Sequence, residues 1–347
     1  FRIWEEMRGF KTIKKQPTQP QSQPQYEVAD VLNKLGSKLE DLGLNSWQLR
    51  TLFALKKCRT SALGGHIDAC DECGNISISY NSCRNRHCPK CQGRNREDWI
   101  QTRETELLPV PYFHVVFTLP EVLNKTALHE PKMLYDILFE SAWETLQTFG
   151  KNKNLQMGMI AVLHTWGQNL SLHPHLHCIV PGGGVDENGA WKNIKNDGKF
   201  LFSVKALSKV FRAKFCEKLK ANLKDKFNEN QENEYEKIRQ SLWEKPWVVY
   251  AKKPFGSPKS VVEYLGRYTH KIAISNGRIR GIDDKTVTFD YKDYRQKGIK
   301  KQMVLSHEEF IRRFAMHILP KRFVKIRHYG FLSSTWKRIK LKNLQQK

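Results

Sequence analysis

The chain has 347 residues, of which 59 are Lys or Arg and 35 are Asp or Glu, so its formal net charge is +24. This length allows a sizeable core and two or three domains, and the positive excess is spread over most of the chain. We therefore expect a polyanionic partner, with nucleic acid as the first candidate and a ribosomal or membrane-surface protein as the alternative. No apolar run approaches about 18 residues, and residues 1–15 lack an apolar signal-peptide core, so neither a membrane span nor a secretory signal is expected.

The first 96 residues divide into three segments of different composition. Residues 1–25 end in a polar Gln/Pro-rich run, which is typical of a flexible leader. Residues 26–57 carry leucines and other apolar residues at helical spacing, which predicts an N-terminal helical unit. Residues 58–96 are rich in Cys and His and predict a zinc-ribbon-like, zinc-binding domain.

The remaining sequence alternates between strand and helix patterns. Strands are predicted at 111–120, 157–167, 173–183 and 247–255, helices at 132–150, twice within 203–242, from Ser257 to about 270 and from Ser306, and a hairpin at 277–294. This order predicts an α+β fold, in which an antiparallel sheet is flanked by helices. We place the core at 108–275, with a helical insertion at about 186–245, and a basic DNA-binding or packing region at 276–347.

Six of the eight cysteines lie between Cys58 and Cys91, which indicates metal binding in a reducing, cytosolic compartment. Two C-x2-C pairs predict one structural, tetrahedral zinc site, formed by Cys70, Cys73, Cys88 and Cys91. Four further residues could hold a second zinc or could be ordinary loop and core residues. They are Cys58, His66, Cys83 and His87.

Basic side chains decorate the same segment. They predict nucleic-acid recognition, although a merely solvated face would look the same in sequence. The residues are Arg84, Arg86, Lys90, Arg94 and Arg96.

Three histidines occur within five residues in the segment His173-Pro174-His175-Leu176-His177. On a strand, residues i and i+2 share a face, so His175 and His177 can bind one ion while Leu176 faces the core. Stacking or structural histidines are the alternative. Imidazole ligands with open positions for phosphate oxygens indicate Mg²⁺ or Mn²⁺, and their softness favours Mn²⁺.

A third ligand can be predicted from strand pairing. If the strands around His164 and His175 are joined by a loop centred between Asn169 and Leu170, these two histidines lie opposite each other and share a face. His164 is therefore the predicted third ligand. Gln168 and His173 remain as alternatives.

Tyr264 and Tyr268 are four residues apart on a predicted helix, so both phenols lie on one face. Packing in the core is the alternative, but Arg267 and Lys271 are positioned to hold a phosphate beside them. A metal that binds phosphate and a hydroxyl that attacks it are the components of a DNA-nicking reaction with a phosphotyrosine intermediate.

Four motifs together resemble the HUH endonuclease superfamily, and most closely the two-tyrosine rolling-circle transposases of bacterial insertion sequences, including the ISCR group. They are CDECGNISISYNSCRNRHCPKCQ (70–92), HTWGQNLSLHPHLHCIVPGGG (164–184), SVVEYLGRYTHKIAISNGRI (260–279) and EFIRRFAMHILPKRFVKIRHYGFL (309–332). The resemblance spans about residues 50–335. It implies an RRM-like HUH core, with His175 and His177 as the metal pair and Tyr264 and Tyr268 as the nucleophiles.

The resemblance also implies the reaction and its partners. A tyrosine would cut single-stranded DNA at a transposon end, keep the 5′ phosphate as a phosphotyrosine and later join it to target DNA, in a bacterial cytoplasm and near the nucleoid. A relaxase or replication initiator with the same chemistry is the nearer alternative, and a non-enzymatic zinc-ribbon regulator is the more distant one.

Overall fold

The structure of the chain is a computed structural model. It describes residues 24–92, 97, 99–102, 106–195, 200–224, 229–252, 255, 260, 261, 264, 266, 269, 271–336 and 344. The predicted leader therefore lies almost entirely outside the described residues. Within the described part, no helix has the length and hydropathy needed to cross a bilayer.

Two capped helices open the described chain, as the apolar spacing predicted. Helix α1 (Val28–Leu35) begins with a capping box between Glu27 and Asp30, and helix α2 (Ser46–Lys56) begins with one between Asn45 and Gln48. Their buried side chains share a core with the C-terminal part of the chain. This core includes Val31, Leu32, Leu52, Ile279, Phe289, Phe310 and Phe314.

A five-stranded antiparallel sheet forms the centre of the molecule. Its strands are β3 (Tyr112–Thr118), β4 (Gly158–Trp166), β5 (Leu172–Pro181), β8 (Val249–Ala251) and β12 (Ile326–Gly330). They pair in the order β12-β4-β5-β3-β8. One face packs against helices α4 (Pro131–Lys151) and α5 (Val204–Lys224), through Phe117, Leu176, Phe139 and Phe211 among others. The opposite face is the one that carries the candidate site.

The pairing of β4 with β5 has the register predicted from the histidine spacing. His164 lies opposite His175, and Val162 lies opposite His177. The connecting loop is tight: the Gly167 N–H donates to the Ser171 carbonyl at 2.8 Å, and Leu170 has φ of 61°. Next to the loop, Trp166 pairs with Leu172, so the register shifts by one residue between Trp166 and His164 before the histidines pair.

The predicted helical insertion is part of the main core. Strands β6 (Gly183–Val185) and β7 (Trp191–Asn193) form a short hairpin before α5, and α6 (Glu229–Glu244) follows it. Phe211 and Phe215 of α5 pack against Trp247, which lies two residues before β8. The insertion therefore covers the sheet.

The C-terminal part forms a second sheet and then returns to the first. Strands β9 (Ile279–Ile282), β10 (Thr286–Asp293) and β11 (Ile299–Ser306) pair in the order β11-β10-β9, so the predicted 277–294 hairpin is present with a third strand added. Helix α7 (His307–Ala315) follows with Ser306 as its N-cap. Strand β12 then pairs with β4, although it lies in the segment assigned to the C-terminal region.

The remaining elements are short. Strands β1 (Gly65–Ala69) and β2 (Ile76–Tyr80) form an exposed hairpin in the Cys-rich segment. Two short helices, α3 (Asn124–His129) and α8 (Ser334–Trp336), are also present, and 3₁₀ turns occur at Gly36–Leu42, Ser61–Leu63, Glu121–Leu123, Asn276–Arg278 and Tyr294–Gln296.

Candidate active site and zinc site

Three histidines meet on the outer face of the central sheet. The ligand nitrogens of His164, His175 and His177 all lie within 4.8 Å of one another, and the Nε2 atoms of His175 and His177 are 3.2 Å apart. The alternation of the strands causes this arrangement, because Leu163 and Leu176 point into the core on the other face. The three residues are those that the sequence predicted to lie together.

The protonation of these histidines suits a metal. Burial lowers the pKa of His175 to about 4 and that of His177 well below its usual value, so both rings are neutral near pH 7. The backbone carbonyl of His173 lies 2.6 Å from Nδ1 of His175 and accepts a hydrogen bond from its N–H, so the lone pair of Nε2 can bind a metal. Neutral imidazoles of fixed tautomer are good ligands for Mn²⁺ and related ions.

Of the two alternative ligands, His173 is not among the clustered histidines. The His173 side chain is exposed, with its ring centroid 5.2 Å from that of His175, and its backbone makes the contact to the site. The Gln168 backbone carbonyl accepts a hydrogen bond from the Arg278 guanidinium.

A fourth histidine, which the sequence analysis did not select, lies behind the three. His114 of β3 is 3% exposed, and its Nε2 is 2.8 Å from Nδ1 of His177. Its Nδ1 lies 3.4 Å from the phenolic oxygen of Tyr264. Burial, with a smaller contribution from Lys252, lowers the pKa of His114 to about 4. His114 therefore joins a candidate nucleophile to a candidate metal ligand.

Tyr264 lies in a helical segment, since Ser260, Val261, Tyr264, Gly266 and Thr269 are all helical. The Lys252 ammonium lies 5.1 Å from the centroid of its ring, and Phe255 packs against the ring at 4.9 Å. Tyr268 and Arg267 lie outside the described residues. Lys271 follows this segment, and its charge contributes to lowering the pKa of His175 and His177, which places it near them.

Four cysteines meet in the N-terminal region, and they are not the four that the sequence grouped together. The Sγ atoms of Cys58, Cys83, Cys88 and Cys91 lie within 4.8 Å of one another. The Sγ of Cys91 is 3.5 Å from that of Cys58 and 3.7 Å from that of Cys83. Tetrahedral zinc with Zn–S bonds of about 2.3 Å separates its sulfurs by about 3.8 Å, so this set fits Zn²⁺.

The structure groups Cys88 and Cys91 with Cys58 and Cys83, and not with Cys70 and Cys73 as the sequence predicted. The β1–β2 hairpin carries Cys70 and Cys73 at its exposed tip. The chain returns beside Cys58, where the Cys83 N–H donates to the Cys58 sulfur at 3.4 Å. Pairing across the base of the hairpin therefore brings Cys58 and Cys83 to the second C-x2-C pair.

Four residues of the two predicted zinc sets lie apart from the clustered cysteines: His66 and His87 of the second set, and Cys70 and Cys73 of the first. Among the described residues, Cys70, Cys73, His66 and His87 belong to no compact group of metal-ligand atoms. His66 is exposed, with Nε2 3.6 Å from Asp68. His87 instead lines an internal pocket with Lys325 and His317, and burial lowers its pKa to about 3. Hydrogen bonds from the backbone N–H groups of Cys73 and Glu72 lower the pKa of Cys70.

Comparison with known proteins finds two matching family segments, one of which is a zinc-binding domain. The family Y2_Tnp, described as "Putative transposase", matches residues 158–339, and Zn_Tnp_IS91, the "Transposase zinc-binding domain", matches residues 30–119. The chain belongs to the Y2_Tnp transposase family. The transposase is 44% identical to "Putative transposase y4qJ" of Sinorhizobium fredii, over 91% of this chain and 82% of that protein. It is 29% identical to "Transposase for insertion sequence element IS801" of Pseudomonas savastanoi pv. phaseolicola, over 85% of this chain and 73% of that protein.

The two matched segments of the transposase divide the site between them. The Y2_Tnp segment contains the three clustered histidines and Tyr264, whereas the zinc-binding segment contains the four clustered cysteines and also His114. In the sequence, the one feature that could have drawn attention to His114 is that it is a polar residue within the apolar strand YFHVVFT. His114 lies two residues before Val116 and so shares its face of β3. Val116 pairs with His177, a pairing that only the register of the folded sheet reveals.

The predicted DNA-binding residues of the transposase lie in different surroundings. Arg84 is exposed, with φ of 52°. Arg86 donates to the Phe323 carbonyl at 2.5 Å and so links the Cys-rich region to the segment before β12. Arg94 lies outside the described residues, as Arg267 does. Lys325 donates to the Lys271 carbonyl at 2.9 Å and, together with Arg86 and Lys271, lines the same internal pocket.

Proposed function

We propose that this transposase cuts and joins single-stranded DNA at the ends of its element through a 5′-phosphotyrosine intermediate, as in rolling-circle transposition. One observation carries the proposal: the contacts from the Tyr264 hydroxyl through His114 to His177, in a cluster of three ligand-ready histidines. A non-enzymatic regulator would not need this arrangement. Family membership favours a transposase over a relaxase or replication initiator.

His164, His175 and His177 are the residues that would hold Mn²⁺ or Mg²⁺. When bound, the ion supplies charge that polarises the scissile phosphate. For Nε2 of His177 to act as a ligand, the proton of this neutral ring must be on Nδ1, where it is donated to Nε2 of His114. The proton of His114 is then on Nδ1 and points at the Tyr264 oxygen. The phenol therefore accepts from His114, and its own proton is directed elsewhere.

In the proposed cleavage step, the Tyr264 oxygen attacks phosphorus, an O–P bond forms and the P–O3′ bond breaks. The phenol gives its proton to solvent, and the departing 3′ oxygen gains one, so that a 3′-hydroxyl is released. The Lys252 ammonium beside the Tyr264 ring favours the negative charge that develops on the phenol. Tyr268 is proposed as the second nucleophile, which would cut the other strand end while Tyr264 retains the first.

A covalent-adduct assay tests this proposal. The full chain is incubated with Mn²⁺ and single-stranded oligonucleotides from candidate element ends, labelled at either the 5′ or the 3′ terminus. We expect an SDS-stable adduct that carries only the 3′ label, because the protein keeps the 5′ phosphate of the downstream fragment. An adduct that carries the 5′ label, or one still formed by the Tyr264→Phe, Tyr268→Phe double variant, would contradict the mechanism.

A further inference from the structure

The edge strand β8 exposes an aromatic side chain that the fold does not use. Tyr250 is 53% exposed, and Val248, on the same side of the chain, is 64% exposed. Val249 between them is 7% exposed and packs in the core, so the alternation of the strand is regular. The exposed side of β8 is therefore a continuation of the outer face of the sheet.

Strand register places Tyr250 in the same row as a metal-ligand candidate. Tyr250 pairs with Val116 of β3, Val116 pairs with His177 of β5, and His177 pairs with Val162 of β4. Directly paired residues share a face, and neighbouring strands are about 4.8 Å apart. The Tyr250 backbone is thus about 10 Å from that of His177, on the side where the scissile phosphate would be held.

Lys252 connects this face to the nucleophile. It lies two residues after Tyr250, it is exposed, and its backbone N–H donates to the His114 carbonyl at 2.9 Å. Its ammonium is 5.1 Å from the Tyr264 ring centroid. The aromatic ring of Tyr250, the ammonium of Lys252 and the candidate nucleophile Tyr264 therefore follow one another along one surface. The ring can contact a base and the ammonium can contact the adjacent phosphate of a DNA strand.

We propose that β8 is a nucleotide-binding subsite, in which a base next to the scissile phosphate stacks on Tyr250 and the backbone phosphate contacts Lys252. The inference rests on the proposed single-strand cleavage and deepens it. An exposed ring on a sheet face can stack any unpaired base, whereas a base within a duplex is already stacked. The subsite would therefore favour single-stranded over duplex DNA without selecting a particular base.

Binding is measured in the Tyr264→Phe, Tyr268→Phe background, so that cleavage does not interfere. Oligonucleotides carry 2-aminopurine at successive positions around the cleavage point, and both the affinity and the fluorescence quenching are recorded. We expect Tyr250→Ala to weaken single-strand binding about tenfold and to remove the quenching at one position, while duplex affinity stays unchanged. Tyr250→Trp should restore both signals. Tyr294, 70% exposed in the turn before β11, supplies the control Tyr294→Ala, which should change neither.

Unchanged affinity and quenching in Tyr250→Ala would overturn the subsite. Equal weakening by Tyr294→Ala, or equal loss of duplex binding, would also overturn it. Lys252→Ala should reduce the slope of log affinity against log salt by about one, as expected for one lost phosphate contact. The proposed function has a separate readout: if the wild-type chain forms an adduct while Tyr250→Ala binds normally, only the subsite fails, whereas absence of any adduct refutes the cleavage chemistry.

Discussion

Nε2 of His114 lies 2.8 Å from Nδ1 of His177, and the planes of the two rings are inclined by only 14°. This contact fixes which nitrogen of His177 faces the other two histidines. Because His114 also approaches Tyr264, a single buried side chain orients both the candidate metal site and the candidate nucleophile.

Replacing His114 should weaken metal use more than DNA binding. We expect His114→Ala to raise the Mn²⁺ concentration needed for half-maximal adduct formation about 10- to 100-fold, as is typical when a residue that orients a metal ligand is lost. His114→Gln should recover part of the loss, because its amide oxygen can accept from His177. The exposed His129, on α3, supplies the control His129→Ala. An unchanged metal requirement in His114→Ala would refute this positioning role.

The two tyrosines should differ on a substrate with a single cleavage site. Tyr264→Phe removes the hydroxyl beside His114, so we expect no adduct on a one-site oligonucleotide. Tyr268→Phe should still form that adduct, and each single variant should fail to complete transposition. Mass spectrometry of the tryptic nucleotide-peptide identifies the modified residue. Full adduct formation by Tyr264→Phe would reverse the assignment.

Zinc content should follow the cysteine cluster of the structure. We expect Cys58→Ser and Cys83→Ser each to lose one zinc per chain by elemental analysis and to lower the melting temperature, since loop-rich units of this kind depend on their metal. The matched control is the Cys70→Ser, Cys73→Ser double variant, which should retain the zinc held by Cys58, Cys83, Cys88 and Cys91. Loss of all zinc from this control would show that the sequence-based grouping was the better one.

DNA affinity should depend steeply on salt. With a net charge of +24, many phosphate contacts are expected, and each one releases counterions. Affinity for single-stranded DNA should fall roughly tenfold or more between about 50 and 200 mM salt. Fluorescence anisotropy at several salt concentrations measures the slope. A flat response would mean that the basic surface is not the DNA-binding surface.

Lys325 should make stability depend on pH. Burial, with a smaller contribution from Arg86, lowers its pKa to about 7, below the model-peptide value of about 10.4. At pH values between these two pKa values, the Lys325 side chain is more fully protonated in the unfolded chain than in the folded one. Its contribution therefore makes the free energy of unfolding rise with pH. Lys325→Met should therefore raise the melting temperature more at pH 6 than at pH 9. An equal gain at both pH values would contradict the lowered pKa.

The sequence by itself determined the local parts of this protein. The spacing of His164, His175 and His177 predicted both the β4–β5 pairing at these residues and the histidines that meet, because residues of one strand face alternate and directly paired residues share a face. The helices, the hairpin at 277–294 and the presence of a cysteine-rich metal centre were predicted from periodicity and turn residues for the same reason. All of these features depend on neighbours along the chain.

Only the tertiary structure decided the contacts between distant segments. His114 meets His177 across 63 residues, Cys58 meets Cys91 across 33, and β12 closes the sheet beside β4. Each of these contacts depends on how separate elements pack to bury their apolar faces, and the local pattern of a sequence is compatible with several such packings. For this reason, the cysteine grouping differed from its prediction, and the histidine that links nucleophile to metal site became visible only in the folded chain.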